Sequence, residues 1–140
     1  MRQTIRMLIV EDEEILAGNL VAYMQRFGWD VQVATTGSQA VSTASSFLPE
    51  LLLLDYRLPD MTGFQILDTL QVQCTRCACH CVLMTAHPSD MVLAGAIQRG
   101  IHRILYKPFS LGELDKHLWA VAEVLPASAL SPVPHPGAIF

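Results

Sequence analysis

The amino-acid sequence predicts an α/β domain in which helices cover both faces of a parallel sheet. A short apolar run followed by a segment with helical periodicity occurs five times along the chain, and this is the pattern that strand–helix crossovers produce. The middle run, residues 51–54, is Leu at every position, as expected for a central strand whose two faces are both buried. Because crossovers between parallel strands are right-handed, the predicted architecture is a doubly wound, three-layer sandwich.

Two strand–helix units make up the amino-terminal half. Residues 5–10 are an apolar run rich in β-forming residues, and the acidic segment 11–14 follows it. Acidic side chains are favourable at a helix amino terminus, and apolar residues then recur at helical spacing until Gly28 ends the helix. Residues 31–34 form the second predicted strand, and Thr36 opens the second helix.

The third unit carries a carboxylate at a distinctive place. Asp55 stands at the end of the third strand, and the turn residues Pro59, Asp60 and Gly63 precede a third helix at residues 64–72. Ligands bind at the carboxyl ends of the strands in an open α/β sheet. We therefore expect Asp55 to be exposed at a binding site; the plainer alternative is a carboxylate that caps a turn or a helix.

The carboxyl-terminal half repeats the unit twice. The fourth strand is predicted at residues 81–84, and Ser89 or Asp90 caps a fourth helix that a central glycine weakens. The fifth strand is predicted at residues 101–106, and Ser110 caps the last helix.

Length and composition indicate one globular domain. The chain has 140 residues, of which 51% are hydrophobic and 16% charged, so it can form a sizeable core and is not a disordered chain. No apolar run reaches the roughly 18–20 residues of a membrane helix, and the amino terminus lacks a secretory signal. We expect a cytoplasmic protein without a membrane partner, with a domain at residues 1–125 and a proline-rich flexible tail or linker at 126–140.

The distribution of charged residues indicates whether the chain binds nucleic acid directly. Nine basic and 13 acidic residues give a net charge of −4, and the arginines are scattered singly. Such a surface offers no basic stripe to a phosphate backbone, so direct binding to nucleic acid is not expected. A DNA-directed role would need a further domain.

Five polar residues are predicted to meet at the carboxyl edge of the sheet. They are Glu11, Asp12, Asp55, Thr85 and Lys107, which follow four different strands. Three neighbouring carboxylates repel one another unless a cation or a proton intervenes, and a set of oxygen ligands suits Mg²⁺. A metal, an ammonium and a hydroxyl together neutralise a phosphoryl group while a carboxylate attacks it. The site therefore predicts an aspartyl phosphate on Asp55.

Four motifs in this order resemble those of the receiver domain of two-component response regulators. They are Val10-Glu11-Asp12-Glu13, Leu54-Asp55 with Leu58-Pro59-Asp60-Met61-Thr62-Gly63, Met84-Thr85-Ala86, and Lys107-Pro108-Phe109. The resemblance extends from residue 5 to about residue 125. It implies the flavodoxin-like fold with strand order 2-1-3-4-5.

The resemblance also implies a role for each residue of the site. Asp55 would be the phosphoacceptor, Glu11, Asp12, Asp55 and the backbone carbonyl of Arg57 would bind Mg²⁺, and Thr85 and Lys107 would contact the phosphoryl group. The phosphoryl donor would be a phosphohistidine on a sensor histidine kinase or a phosphotransfer protein. The domain would catalyse only its own phosphorylation and dephosphorylation, so it would be a signalling domain and not a conventional enzyme.

Signalling would pass to a downstream output domain or protein. In the family that this chain resembles, the surface of helix 4, strand 5 and helix 5 carries the output and often forms a homodimer. A weak fourth helix suits such a role, since an element of low local stability shifts readily. The resemblance further implies that the Lys107–Pro108 peptide bond is often cis.

Two positions depart from the family pattern. The aromatic residue that usually lies three positions before the lysine is replaced by Ile104, and Tyr106 lies one strand repeat further on. In the family that this chain resembles, that aromatic ring moves inward when the threonine, here Thr85, is drawn to the phosphoryl group. We therefore expect Thr85 to take part in the switch, and either Tyr106 performs it with the threonine or no aromatic residue does. Arg57 is the second departure; it is either a cation that reaches or shields the phosphoryl group or a solvated surface arginine.

A cysteine-rich segment precedes and enters the fourth strand. It contains Cys74, Cys77, Cys79 and Cys81, with His80 between the last two. Sulfur and imidazole ligands this close raise the alternative of a metal or redox site. Cys79 and Cys81 lie two apart on one strand, so they face the same side and are too far apart for an unstrained disulfide. We interpret them as small buried residues.

Two other functions fit parts of the pattern. A phosphatase of the haloacid-dehalogenase type also uses an Asp nucleophile with Thr, Lys and Mg²⁺, but it needs a second Asp where this chain has Arg57. A degenerate receiver that docks partners without phosphorylation fits the substitution at Ile104, whereas the complete set of site residues favours an active receiver.

Overall fold

The computed structural model describes residues 4–73 and 79–125. Within them, five strands and five helices alternate, as the sequence predicts. The strands are β1 (Arg6–Val10), β2 (Asp30–Ala34), β3 (Leu51–Asp55), β4 (His80–Thr85) and β5 (Arg103–Tyr106). The helices are α1 (Glu14–Gln25), α2 (Gly37–Phe47), α3 (Gly63–Gln73), α4 (Asp90–Gln98) and α5 (Leu111–Ala122). The predicted tail at residues 126–140 lies outside the described residues.

The strands form one parallel sheet in the order β2-β1-β3-β4-β5. This confirms the doubly wound sandwich and the expected strand order. No helix in the two described ranges is long and apolar enough to cross a membrane.

The leucine run of β3 separates two hydrophobic cores. Leu51 and Leu53 pack in a core covered by α1 and α5, whereas Leu52 and Leu54 pack in a second core covered by α2, α3 and α4. Successive side chains of a strand point to opposite faces, and all four leucines are fully buried. The unbroken apolar run therefore has the cause that the sequence suggested.

The capping residues predicted from the sequence lie at the ends of the helices. The hydroxyls of Thr36, Ser89 and Ser110 each accept a hydrogen bond from a backbone N–H in the first turn of α2, α4 and α5, which satisfies donors that have no intrahelical acceptor. Ser89, and not Asp90, is the residue that caps α4. Gly28 adopts a positive φ of 76°, which suits the residue that follows a helix.

Most strand and helix boundaries lie within one residue of the prediction, and the start of β5 differs by more. Strand β5 begins at Arg103 and not at residue 101. The N–H of Ile101 donates to the carbonyl of Ala96 at 2.9 Å, so this residue still belongs to the turn that ends α4. Its apolar side chain is buried, and apolar character alone does not distinguish a buried turn from a strand.

Two polar contacts join helices that are distant in sequence. The guanidinium of Arg99, just after α4, donates to both carboxylate oxygens of Asp68 on α3 at 3.0 and 2.8 Å and lies 4.3 Å from the ring centroid of Phe64. On the other side of the sheet, the Tyr23 hydroxyl of α1 donates to Asp115 of α5 at 2.6 Å. Burial, together with this hydrogen bond, raises the pKa of Tyr23 to about 12.

Candidate functional site

The sheet brings the predicted site residues to one edge. Asp55 ends β3, Thr85 ends β4, and Glu11 and Lys107 directly follow β1 and β5. The register pairs Val10 with Leu54 and Asp55 with Met84, so the carboxyl ends of these strands are level. The carboxylates of Glu11, Asp12 and Asp55 each offer an oxygen within 4.8 Å of the others.

Lys107 joins two of these carboxylates. Its ammonium donates to Glu11 Oε1 at 2.5 Å and to Asp55 Oδ2 at 3.0 Å. Burial by itself lowers the pKa of Lys107, but the hydrogen bonds and negative charges of the two acids outweigh it and hold that pKa above its ordinary value. The lysine is therefore a permanent cation in the cluster.

The cluster is more deeply buried than the sequence suggested. Glu11 is 1% exposed and Asp55 is 7% exposed, whereas Asp12 is exposed to solvent. Asp55 was expected to be exposed at the sheet edge; instead it is buried, and the backbone N–H of Arg57 donates to its Oδ1 at 3.2 Å. Burial raises the pKa of Glu11, although hydrogen bonds from Lys107 and from the Glu13 backbone act against it.

The donor set suits a hard divalent cation. Three carboxylates provide oxygen ligands, and one of them, Asp12, borders solvent, which leaves room for the waters that Mg²⁺ retains. A cation at this place would also offset the cost that burial imposes on the charged form of Glu11 and the repulsion from Asp55. The observed residues therefore fit a magnesium site.

Thr85 is buried at the end of β4, and its hydroxyl oxygen accepts a hydrogen bond from the His87 backbone N–H at 3.2 Å. The backbone N–H of Lys107 donates to the Thr85 carbonyl at 2.9 Å. These bonds tie the ends of β4 and β5 together. They hold the threonine and the lysine at the same edge as Asp55.

Two of the candidate switch residues, Ile104 and Tyr106, differ in burial. Ile104 is half-buried and packs against the second core, whereas Tyr106 is 47% exposed and pairs with Thr85 across the sheet. The position where an aromatic ring is usual is thus filled by an aliphatic side chain. Tyr106 offers a ring at the surface beside the threonine.

Sequence reasoning treated Asp60 only as a turn residue and missed its partners. Its two carboxylate oxygens accept hydrogen bonds from the N–H groups of Gly37 at 2.7 Å and Ser38 at 2.9 Å, at the amino terminus of α2. These hydrogen bonds hold the pKa of Asp60 below its usual range. The available signal was the carboxylate together with the free N–H donors at the start of the preceding helix α2, but these groups are more than 20 residues apart.

Cys79 and Cys81 do not belong to this site. Cys79 and Cys81 are half-buried and pack against the second core, as expected for thiols on one side of a strand. Burial raises the pKa of Cys79 to about 11 and also raises the pKa of Cys81, so both remain thiols at neutral pH. Within residues 4–73 and 79–125, the group with metal-ligand spacing is the acidic cluster; Cys74 and Cys77 lie outside these ranges.

A doubly wound α/β domain with an acidic site at the carboxyl edge of its sheet is the class that this fold and site define. Residues 7–119 match the family model described as the response regulator receiver domain, and the chain belongs to that family. This result favours the receiver interpretation over the phosphatase alternative.

Individual relatives agree with the family. The chain is 34% identical over 114 residues to the transcriptional regulatory protein TrcR of Mycobacterium tuberculosis, covering 81% of this chain and 44% of TrcR. It is 36% identical over 110 residues to the transcriptional activator PfeR of Pseudomonas aeruginosa, covering 79% and 35% of the two chains. The chain thus spans less than half the length of these two curated relatives.

Solved structures show the same fold. The receiver domain of a LuxO repressor from Vibrio parahaemolyticus has a TM-score of 0.77 and 28% identity, covering 85% of this chain and 90% of that domain. The chemotaxis protein CheY4 of Vibrio cholerae has a TM-score of 0.78 and 24% identity, covering 85% and 99% of the two chains. The second likeness concerns the fold alone.

Proposed function

We propose that this chain is a phosphoacceptor receiver whose Asp55 takes a phosphoryl group from a phosphohistidine of a sensor kinase or a phosphotransfer protein. The observation that carries the proposal is the convergence of three carboxylates and Lys107 at the carboxyl edge of the sheet. The family match supports it. A docking module that never accepts a phosphoryl group would have no need for this arrangement of charges, so the alternative is not favoured.

Each residue has a part in the transfer. A carboxylate oxygen of Asp55 forms a bond to phosphorus while the P–N bond of the donor breaks, and the donor nitrogen keeps the electron pair and takes a proton from solvent. Lys107 and the backbone N–H of Arg57 donate to Asp55 and orient its carboxylate. Lys107 and the Thr85 hydroxyl then stabilise the phosphoryl oxygens in the product.

Glu11, Asp12, Asp55 and the backbone carbonyl of Arg57 are the proposed Mg²⁺ ligands. Magnesium bound there would neutralise charge on the phosphoryl oxygens during transfer. Glu11 is the ligand that burial destabilises most clearly as an anion. Binding of Mg²⁺ is therefore expected to stabilise the fold as well as to permit the chemistry.

We propose that the surface formed by α4, β5 and α5 binds the downstream partner and so passes on the signal. This surface exposes apolar side chains at Met91, Tyr106 and Leu111, with exposures of 85%, 47% and 55%, which suits a partner or a second copy of the domain. Because the curated relatives are longer and two of them are named as transcriptional regulators, a downstream output domain or protein is the proposed recipient. We propose a cytoplasmic location and no direct nucleic-acid contact by this domain, whose net charge is −4.

Intact mass after incubation with Mg²⁺ and acetyl phosphate tests the proposal. The wild type should gain one phosphoryl group, and Asp55→Asn should gain none. Asp30→Asn, which changes an exposed carboxylate at the start of β2, is the matched control and should still be labelled. A wild type that neither gains mass nor binds Mg²⁺ would refute the proposal and support the docking module.

A substitution at Arg57 tests whether its guanidinium protects the phosphoryl group from hydrolysis. Its side chain is exposed, while its backbone contacts Asp55. We propose that the guanidinium shields the phosphoryl group from water, so Arg57→Ala should shorten the lifetime of the phosphorylated form. An unchanged lifetime would leave Arg57 as a solvated surface residue.

A substitution at Tyr106 tests which residue performs the conformational switch. We propose that its ring, paired with Thr85 across the sheet, replaces the aromatic residue absent at Ile104. Tyr106→Leu should then reduce phosphorylation-dependent partner binding or dimerisation, measured by light scattering with and without acetyl phosphate. The same dependence in variant and wild type would show that Tyr106 does not perform the switch.

A further inference from the structure

The loop between β3 and α3 closes on itself as a short antiparallel turn. Arg57 and Thr62 form an isolated β-bridge. The N–H of Leu58 donates to the Met61 carbonyl at 3.1 Å, and the N–H of Gly63 donates to the Tyr56 carbonyl at 2.7 Å. The two arms of the loop are therefore bonded to each other, so the position of its tip constrains the position of its base.

The tip of this loop is attached to α2 through Asp60. One carboxylate oxygen accepts from Gly37 and the other from Ser38, at 2.7 and 2.9 Å. These N–H groups belong to the first turn of α2, where no intrahelical acceptor exists. The hydroxyl of Thr36 satisfies a third donor, Gln39 N–H, at 3.0 Å, so the helix has its own cap besides the one that the loop supplies.

Packing reinforces this attachment. A Cβ built at Gly37 would lie 2.1 Å from Cγ of Met61, far inside van der Waals contact. Met61 thus occupies the space that any other residue at position 37 would need. The loop is held against α2 by two hydrogen bonds and by the close contact of the Met61 side chain with Gly37.

The base of the loop contacts the phosphoacceptor. The N–H of Arg57 donates to Asp55 Oδ1 at 3.2 Å, and the Arg57 carbonyl is a proposed metal ligand. The path from α2 to the site is therefore short: Asp60 holds the tip, the bridge transmits its position, and Arg57 orients Asp55.

We propose that Asp60 is a positioning residue for phosphoryl transfer: by anchoring the 56–62 loop to α2, it holds Arg57 where it orients Asp55 and serves the metal. This inference rests on the proposed function. It gives Asp60 a role that its place in a turn does not predict. It also makes the amino terminus of α2 part of the support of the site.

The test compares Asp60→Ala with Thr36→Ala in the full chain. Both variants remove a cap of α2, but only the first releases the loop. Mg²⁺ affinity by isothermal titration calorimetry should fall about tenfold in Asp60→Ala, the lower end of the effect of removing support for metal ligands. It should stay within about twofold of wild type in Thr36→Ala. Asp60→Asn, which keeps one accepting oxygen, should fall between them.

Amide hydrogen exchange supplies a readout that needs no metal. Asp60→Ala should raise exchange at the amides of Arg57, Leu58 and Gly63 far more than Thr36→Ala does. Unchanged exchange at these amides, or equal loss of Mg²⁺ affinity in the two variants, would overturn the inference. A wild type that binds no Mg²⁺ would refute the proposed function instead, and the exchange result would still decide whether Asp60 holds the loop.

Discussion

Replacing Lys107 by Met isolates the electrostatics of the site. The substitution keeps an apolar stem of similar length but leaves Glu11 and Asp55, whose side chains are 1% and 10% exposed, without their ammonium partner. Removing one partner of a buried ion pair costs about 3–5 kcal/mol. Because the Lys107 side chain is 19% exposed, some solvent screening remains, and we expect a loss of about 2–4 kcal/mol in the free energy of unfolding without Mg²⁺.

Magnesium should reduce this loss relative to the wild type, because it stabilises the folded variant more than the folded wild type. With Lys107 charged, the cluster of three acids has a net charge of −2, and the variant makes it −3, so Mg²⁺ should bind the variant more tightly than the wild type. A ligand at 100 times its dissociation constant stabilises the folded state by about 2.7 kcal/mol. Phosphorylation by acetyl phosphate should nevertheless be impaired, because the cation that contacts the phosphoryl group is missing.

Urea unfolding followed by tryptophan fluorescence, with and without Mg²⁺, is the assay. Trp29 is 8% exposed in the folded protein, so its fluorescence changes when the core unfolds. Lys116→Met, which changes an exposed lysine on α5, is the matched control and should alter neither stability nor Mg²⁺ binding. If Lys107→Met unfolded within about 0.5 kcal/mol of wild type without Mg²⁺, the reasoning on the buried carboxylates would be refuted.

Three further changes test packing and titration. Arg99→Ala removes the Asp68 pair and the Phe64 stack, so it should cost about 1 kcal/mol; an unchanged melting temperature would contradict this. Gly95→Ala places a Cβ 2.6 Å from Phe64 Cε2, and overpacking of about 1–3 kcal/mol should exceed the helix-propensity gain of about 1 kcal/mol, which chemical unfolding checks. Burial, then nearby positive charge, lowers the pKa of His117. The contribution of neutral His117 to stability should therefore be complete above pH 6.5, the ordinary pKa, and should be lost as the pH falls through the lower pKa of the folded state. If the stability of the wild type and of His117→Gln depended on pH in the same way, this expectation would be contradicted.

Local chemistry accounts for what the sequence predicted correctly. The unbroken leucines of β3, the hydroxyl caps at Thr36 and Ser110, and the glycine after α1 are patterns within a few residues, and their physical causes are equally local. The meeting of Asp55 and Lys107 was predictable because parallel strands share a carboxyl edge.

Contacts between distant segments were beyond such reasoning. The stack of Arg99 on Phe64, the attachment of Asp60 to α2 and the contact of Tyr23 with Asp115 join residues from 22 to 92 positions apart. Neither partner shows a pattern that identifies the other, because helix packing decides which side chains meet.

The sequence by itself determined the order of strands and helices, the residues at the strand ends and the family. The tertiary structure alone decided how deeply Glu11 and Asp55 are buried, which carboxylates Lys107 joins and what holds the 56–62 loop. The reason is physical: periodicity and capping act within one segment, whereas burial and charge pairing depend on the distances that the complete packing of the chain sets.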